Sequence, residues 1–109
     1  MTSRLLNLVM MALCLAMPGV AAAQMSPSEQ RGQTFVRANC SDCHAIDRVS
    51  ASPLKVAPPF RELHLRYPVE NLQEALLEGV RTGHVNMPEF RLDPDQASDV
   101  VAYLKTLER

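Results

Sequence analysis

Two cysteines and a histidine lie close together in this 109-residue chain, in the stretch Cys40-Ser41-Asp42-Cys43-His44. Two thiols separated by two residues and followed directly by an imidazole form the pattern that attaches a c-type haem. Each thiol can add to one of the two haem vinyl groups, and a helical turn between the cysteines sets their separation. The histidine then lies under the iron and can coordinate it. The sequence therefore predicts one haem c, bound covalently through Cys40 and Cys43, with His44 as an iron ligand.

Three other chemistries use a cysteine pair, and each fits this sequence less well. A thioredoxin-like redox pair needs a βαβ context, and no strand alternation is visible. A zinc site would need two further closely spaced ligands, whereas His64 and His84 stand alone in separate segments. A disulfide is compatible with an exported protein, but it leaves His44 without a role. We therefore interpret the motif as a haem attachment site.

The sixth ligand of the iron is expected from a later loop. Met87 lies between Asn86 and Pro88 in a stretch of turn residues with little other apolar content, which is a poor context for a core methionine. A thioether can hold haem iron low-spin, and His/Met ligation raises the reduction potential relative to His/His. We expect Met87 to be this ligand. The alternatives are an open site and His64 or His84, both of which we otherwise expect to be solvated.

His44 also needs an acceptor for its second ring N–H, because that hydrogen bond fixes the tautomer and strengthens the ligand. A backbone carbonyl in a proline-stiffened loop suits this role, and Ala57-Pro58-Pro59 is such a loop. Pro58 is the better candidate than Pro59, although spacing alone does not separate the two.

Helical patterns surround the motif and the loops. Apolar residues recur three to four positions apart, which predicts helices over 29–39, 60–67, 69–80 and 93–109. Ser26 or Ser28 can cap the first helix, and Asp93 with Pro94 can begin the last one. The segments 48–59 and 81–92 are expected to be loops. The sequence thus predicts an all-α fold without internal repeats.

Residues 1–23 have the organisation of a secretory signal peptide. Arg4 supplies a positive charge, the apolar run 5–17 ends at Pro18-Gly19, and the small residues 21–23 precede a cleavage site that we place after Ala23. The run is too short and too broken for a transmembrane helix. We predict a mature domain of residues 24–109 that is periplasmic and has no membrane anchor after cleavage.

The composition of the mature chain excludes some partners. Removal of residues 1–23 takes away Arg4 and Cys14 and leaves 10 basic and 12 acidic side chains. This near-neutral balance favours neither nucleic acid nor an anionic membrane surface. The chain also has only three Phe, two Tyr and no Trp, and a domain this small usually needs a cofactor, a metal or a staple to complete its core.

The mature chain resembles the small monohaem class I c-type cytochromes of bacteria over residues 27–108. The resemblance rests on these positions: Gly32 and Phe35, the attachment motif, Pro58 two residues before Phe60, Met87-Pro88, and Tyr103-Leu104. Ala57 is a departure, because the family often has Gly there. The resemblance implies the cytochrome c fold, with N- and C-terminal helices packed crosswise around one covalently attached haem and with Gly32 at their contact. It also implies that the Pro58 carbonyl accepts from His44 and that Met87 is the distal ligand.

The activity that this resemblance implies is one-electron transfer and not enzymatic catalysis. We expect a monomeric periplasmic carrier that meets redox protein partners transiently. The haem propionates would need donors, for which the candidates are Arg61, Arg66, Tyr67 and Arg81. One alternative function is the cytochrome subunit of a periplasmic dehydrogenase. A haem-based gas sensor is another, and it would require a vacant or weakly held sixth site.

Overall fold

The computed structural model describes Gly19, residues 24–79 and residues 87–109. These ranges contain helices and no strand, so the all-α prediction is confirmed for them. The helices are α1 (Pro27–Asn39), a 3-10 helix (Phe60–Leu65), α2 (Asn71–Glu78) and α3 (Pro94–Thr106). None of them has the length and apolar content that crossing a bilayer requires. The predicted signal peptide, apart from Gly19, lies outside the described residues, as do Arg81 and His84.

The longest helices, α1 and α3, begin with the same arrangement of hydrogen bonds. In α1 the Ser26 hydroxyl accepts from the Glu29 backbone N–H at 3.2 Å, and the Glu29 carboxylate accepts from the Ser26 N–H at 2.9 Å. In α3 the Asp93 carboxylate accepts from the Gln96 backbone N–H at 2.8 Å, and the side-chain oxygen of Gln96 accepts from the Asp93 backbone N–H at 3.3 Å. Such reciprocal bonds satisfy N–H groups that a helix start leaves free. Ser26, rather than Ser28, is therefore the cap of the first helix, which begins two residues before the predicted residue 29. The last helix begins after Asp93 as predicted, but it ends at Thr106 instead of 109.

Helices α1 and α3 pack against each other at Gly32, as the resemblance implies. A Cβ placed on Gly32 would lie 1.9 Å from the carbonyl oxygen of Asp99 and 2.9 Å from the Cβ of Tyr103. The two backbones therefore approach more closely than any side chain would allow. The Asp99 carboxylate adds polar contacts beside this point, since it accepts from Ser28 Oγ at 2.6 Å and from Arg31 Nε at 2.7 Å.

One face of α3 supplies much of the hydrophobic core. Its buried residues are Ala97, Val100, Val101, Tyr103 and Leu104, and Leu107 is buried just after the helix. Val36 of α1 and Val69 are almost completely buried, with 0% and 1% of their surface exposed. The apolar stripe predicted for the last helix is therefore the face that α3 buries.

The middle helix is shorter than predicted. The apolar pattern predicted a helix over 69–80, whereas α2 begins only at Asn71 and ends at Glu78. Pro68 and Val69 accept the 3.0 Å backbone bonds of a turn before the helix, and the Val69 side chain is buried in the core. Gly79 ends α2 with a φ of 103°, which favours glycine. Val69 is thus apolar because its side chain is buried in the core, and not because it lies on the apolar face of a helix.

The segment predicted as a short helix over 60–67 is a 3-10 helix that ends at Leu65. Its tighter bonds include Arg66 N–H to Leu63 O at 3.0 Å. Pro68 disfavours helical backbone in Tyr67, the residue before it, so the helix ends before the predicted residue 67.

Candidate functional site

The side chains predicted to hold the haem line one cleft of about 760 Å³. Cys40, Cys43 and His44 form part of its wall, Pro58 another part, and Met87 enters from the later loop. Much of the remaining wall is apolar and comes from all four helices, with Phe35, Leu63, Leu72, Leu76, Val100 and Leu104 among its residues. The fold thus brings together five predicted site residues from three separate segments of the chain.

The attachment motif is a turn that continues directly from α1. The Cys40 N–H donates to Val36 O at 2.8 Å, as in the helix, and the His44 N–H donates to Cys40 O at 2.9 Å. This turn places Cys43 and His44 one helical turn beyond Cys40. Both thiols are half-buried, and neither is in a disulfide.

The surroundings of Cys40 do not favour a thiolate. Burial raises the pKa of the Cys40 thiol to about 11, so that the group is a neutral thiol at pH 7. Redox-active and zinc-binding cysteines act as thiolates and have lowered pKa values. In addition, the described part of the chain contains no group of three or more His, Cys, Asp or Glu side chains that could hold a metal ion. Neither alternative chemistry of the cysteine pair gains support from these residues.

His44 has the orientation of a prepared ligand. Its Nδ1 lies 2.8 Å from the carbonyl oxygen of Pro58, and a carbonyl can only accept, so Nδ1 donates. The other ring nitrogen, Nε2, then keeps its lone pair for a metal. The structure places Pro58, rather than Pro59, at hydrogen-bond distance from this ring.

The candidates for the sixth ligand differ in where they lie. Met87 is half-buried and lines the cleft. His64 does not line it; the ring is half-buried instead of solvated, and Nδ1 is buried with no hydrogen-bond partner among the described residues. The expectation of a solvated His64 is therefore wrong, because the 3-10 helix turns this side chain inward. His84 lies outside the described residues.

The candidate donors for the haem propionates also differ in whether they line the cleft. Arg66 and Tyr67 line the cleft. Burial raises the pKa of the Tyr67 hydroxyl, although the charge of Arg66 opposes this, so Tyr67 stays a neutral donor at pH 7. Arg61 donates instead to the carbonyl oxygen of Ser50 at 2.6 Å. Arg81 lies outside the described residues.

Two hydrogen bonds that the sequence did not predict fix the backbone after His44. The Ala45 N–H donates to Ser52 Oγ at 3.0 Å, and the Tyr103 hydroxyl donates to Ile46 O at 2.6 Å. The second bond joins residues 57 positions apart. Tyr103 is one of the positions that carry the resemblance, and it lies beside the apolar face of its helix. Nothing in the sequence around it indicates which group its hydroxyl binds.

The residues present fit a haem. The wall is largely apolar, as a porphyrin requires, and the same cleft offers two thiols, an imidazole with an available nitrogen and a thioether. A family model described as Cytochrome c matches residues 29–108 of the chain. Comparisons with curated proteins and with solved structures found no significant match.

Proposed function

Because this chain belongs to the cytochrome c family, whose domain is a haem c electron carrier, we propose that it carries single electrons in the periplasm with iron ligated by His44 and Met87. One observation carries this proposal, namely that Cys40, Cys43, His44 and Met87 line the same cleft. Members of the family are generally electron-transfer proteins, and we assign no bond-making reaction to this chain.

The protein residues have three tasks in this function. When bound, the haem iron supplies one-electron chemistry between its ferrous and ferric states. Cys40 and Cys43 hold the group in place, and the Pro58 carbonyl keeps the His44 ring in one tautomer. The apolar wall limits the access of water, which supports a higher potential by disfavouring the more highly charged ferric state.

Export is supported by the sequence pattern of residues 1–23. We propose that this segment is a cleaved signal peptide and that residues 24–109 form the mature cytochrome domain. The mass of the exported protein tests this, since a mature chain that begins at Gln24 and carries one haem is expected. A chain that retains residues 1–23 would contradict the proposal.

A small apolar surface at the cleft supports transient contact with redox partners. Leu54 and Val56 line the cleft and are 38% and 68% exposed. The Leu54 N–H also donates to Cys43 O at 3.1 Å, which places this surface beside the attachment motif. Transient redox encounters bury little area, and two apolar side chains suit such a contact.

An exposed apolar surface beside the cleft is also what a second candidate function would need, namely the cytochrome subunit of a periplasmic dehydrogenase. A permanent interface is usually larger and more apolar than two side chains provide, so we place this candidate second. Gel filtration of a native periplasmic extract distinguishes a free carrier from a dehydrogenase subunit. A carrier elutes as a free small monomer, and a subunit elutes with its dehydrogenase.

The spectrum of the haem-loaded protein tests the ligation. The ferric protein should show the weak near-infrared band of a thioether ligand, and the ferrous protein should not bind carbon monoxide readily at neutral pH. Met87→Ala should abolish the band and admit carbon monoxide. Met25→Ala is the matched control, because Met25 packs against the core and does not line the cleft. A band that survived Met87→Ala would show another ligand, and ready binding of carbon monoxide to the unmodified protein would favour a gas sensor.

A further inference from the structure

We propose that Phe60 is a positioning residue for the iron-binding imidazole of His44, and that its aromatic ring sets the plane of that imidazole in the cleft. The inference rests on the proposed function only in that His44 binds the iron. Phe60 begins the 3-10 helix, and nothing in its spacing from His44 marks it for this role.

The first observation is a direct contact between the two rings. The ring centroids of His44 and Phe60 are 4.7 Å apart, and the ring planes are inclined by 35°. This distance lies within the range in which aromatic rings attract each other. Phe60 also lines the cleft and is half-buried, so its ring is held among other side chains.

The second observation is that the backbone of Phe60 is attached to the residue after His44. The Phe60 N–H donates to Ala45 O at 2.9 Å. Between this bond and the Pro58 carbonyl lies Pro59, with φ −59° and ψ 137°, and its ring prevents rotation about φ. The acceptor for Nδ1 and the aromatic ring are therefore held at a fixed spacing against His44 and Ala45.

These two contacts restrict different motions of the imidazole. The hydrogen bond to Pro58 holds Nδ1 near the carbonyl oxygen, but it tolerates small turns of the ring about the Cβ–Cγ bond, because such turns move Nδ1 only slightly. The χ2 torsion of histidine has broad minima and resists such a turn weakly. The face of Phe60 blocks it, because rotation would drive the imidazole into the neighbouring ring. Phe60 thus determines the orientation that Pro58 leaves free.

The electron paramagnetic resonance and proton NMR spectra of the ferric, haem-loaded protein test this inference. The g values and the spread of the haem-methyl resonances depend on the plane of the axial imidazole. Phe60→Leu removes the aromatic ring but keeps the apolar character and the backbone N–H, and it should shift both quantities. Phe60→Met makes the same comparison with an unbranched side chain if the leucine variant fails to fold. Phe60→Tyr keeps the ring and should restore the spectra of the unmodified protein.

The control is Leu92→Ala. Leu92 is 6% exposed and belongs to the hydrophobic core, but it does not line the cleft. This variant should lose packing while leaving the g values unchanged. The inference is overturned if Phe60→Leu leaves the spectra unchanged, or if Leu92→Ala shifts them as much. Failure of the proposed ligation would appear separately, as a missing near-infrared band in the unmodified protein.

Discussion

Gly32 of α1 lies against the carbonyl oxygen of Asp99 in α3, so closely that a Cβ at position 32 would come within 1.9 Å of that oxygen. The nearest neighbour is the backbone of Asp99, which cannot rotate away as a side chain can, so a larger residue must push the helices apart. Gly32→Ala should therefore lower the free energy of unfolding by about 3 kcal/mol, even though alanine is the better helix former. Urea unfolding of the haem-loaded protein measures this.

The exposed residue Ala38 in the same helix offers a control with the same pair of residue types. Ala38→Gly should cost about 1 kcal/mol or less, through helix propensity alone. If Gly32→Ala were neutral or stabilising, the close approach of the two helices at Gly32 would be wrong.

The Asp99 carboxylate should make stability depend on pH. Hydrogen bonds from Arg31, and then from Ser28, lower the pKa of Asp99 below its ordinary value. Folding therefore favours the charged form, and the contribution is complete above the unfolded pKa of about 3.9. It is lost as the pH falls through the lower folded value. The stability difference between the unmodified protein and Asp99→Asn should be constant from neutral pH to about pH 5 and shrink below about pH 4.

Urea midpoints measured at a series of pH values test this dependence. Glu74→Gln is the control, because Glu74 is an exposed carboxylate of α2, and its variant should follow the unmodified protein. A difference for Asp99→Asn that grew on acidification would have the wrong sign for a lowered pKa.

The hydroxyl of Tyr103 should stabilise the folded protein through one hydrogen bond to a backbone carbonyl. Tyr103 is 4% exposed, and its hydroxyl donates to Ile46 O at 2.6 Å. Tyr103→Phe keeps the ring but leaves that carbonyl oxygen without its donor, at a cost of about 1 to 2 kcal/mol. Thr34→Val removes an exposed hydroxyl that donates within α1 and should change stability by less than about 0.5 kcal/mol. Equal effects of the two variants in urea unfolding would argue against the bond.

Loss of the two thiols should release the haem. Cys40→Ala or Cys43→Ala leaves one possible thioether bond, and the double variant leaves none. Extraction with acidified acetone should leave the haem on the unmodified protein and remove it from the double variant. Cys14→Ala lies in the predicted signal peptide and should leave attachment unchanged. Haem retained by the double variant would contradict covalent attachment through these residues.

Features that depend on neighbours in the sequence could be predicted, and features that join distant segments could not. The starts of α1 and α3 follow from Ser26 and Asp93, whose caps bind residues three positions later. The apolar face of α3 follows from helical spacing. In contrast, Val69 has the apolar character of a helix face but is buried outside any helix, and periodicity does not distinguish these cases.

The residues of the candidate site also divide into those that neighbouring residues in the sequence predict and those that only the tertiary structure reveals. The attachment motif is local, and the composition around Met87 sets that methionine apart from core residues. The resemblance distinguished Pro58 from Pro59 where spacing did not. The contact of Phe60 with His44 and the burial of His64 depend on how the 3-10 helix packs. Such contacts are set by tertiary structure, and no pattern within one segment encodes them.

The bond between Tyr103 and Ile46 has a consequence for how the candidate site can open. It joins the segment directly after His44 to α3, across 57 positions of the chain. Val100 and Leu104 of the same helix line the cleft. Movement of α3 away from the rest of the fold would therefore remove part of the cleft wall and the anchor of the segment after His44 together. Local opening of the last helix thus couples exposure of the apolar cleft to loosening of the backbone beside His44.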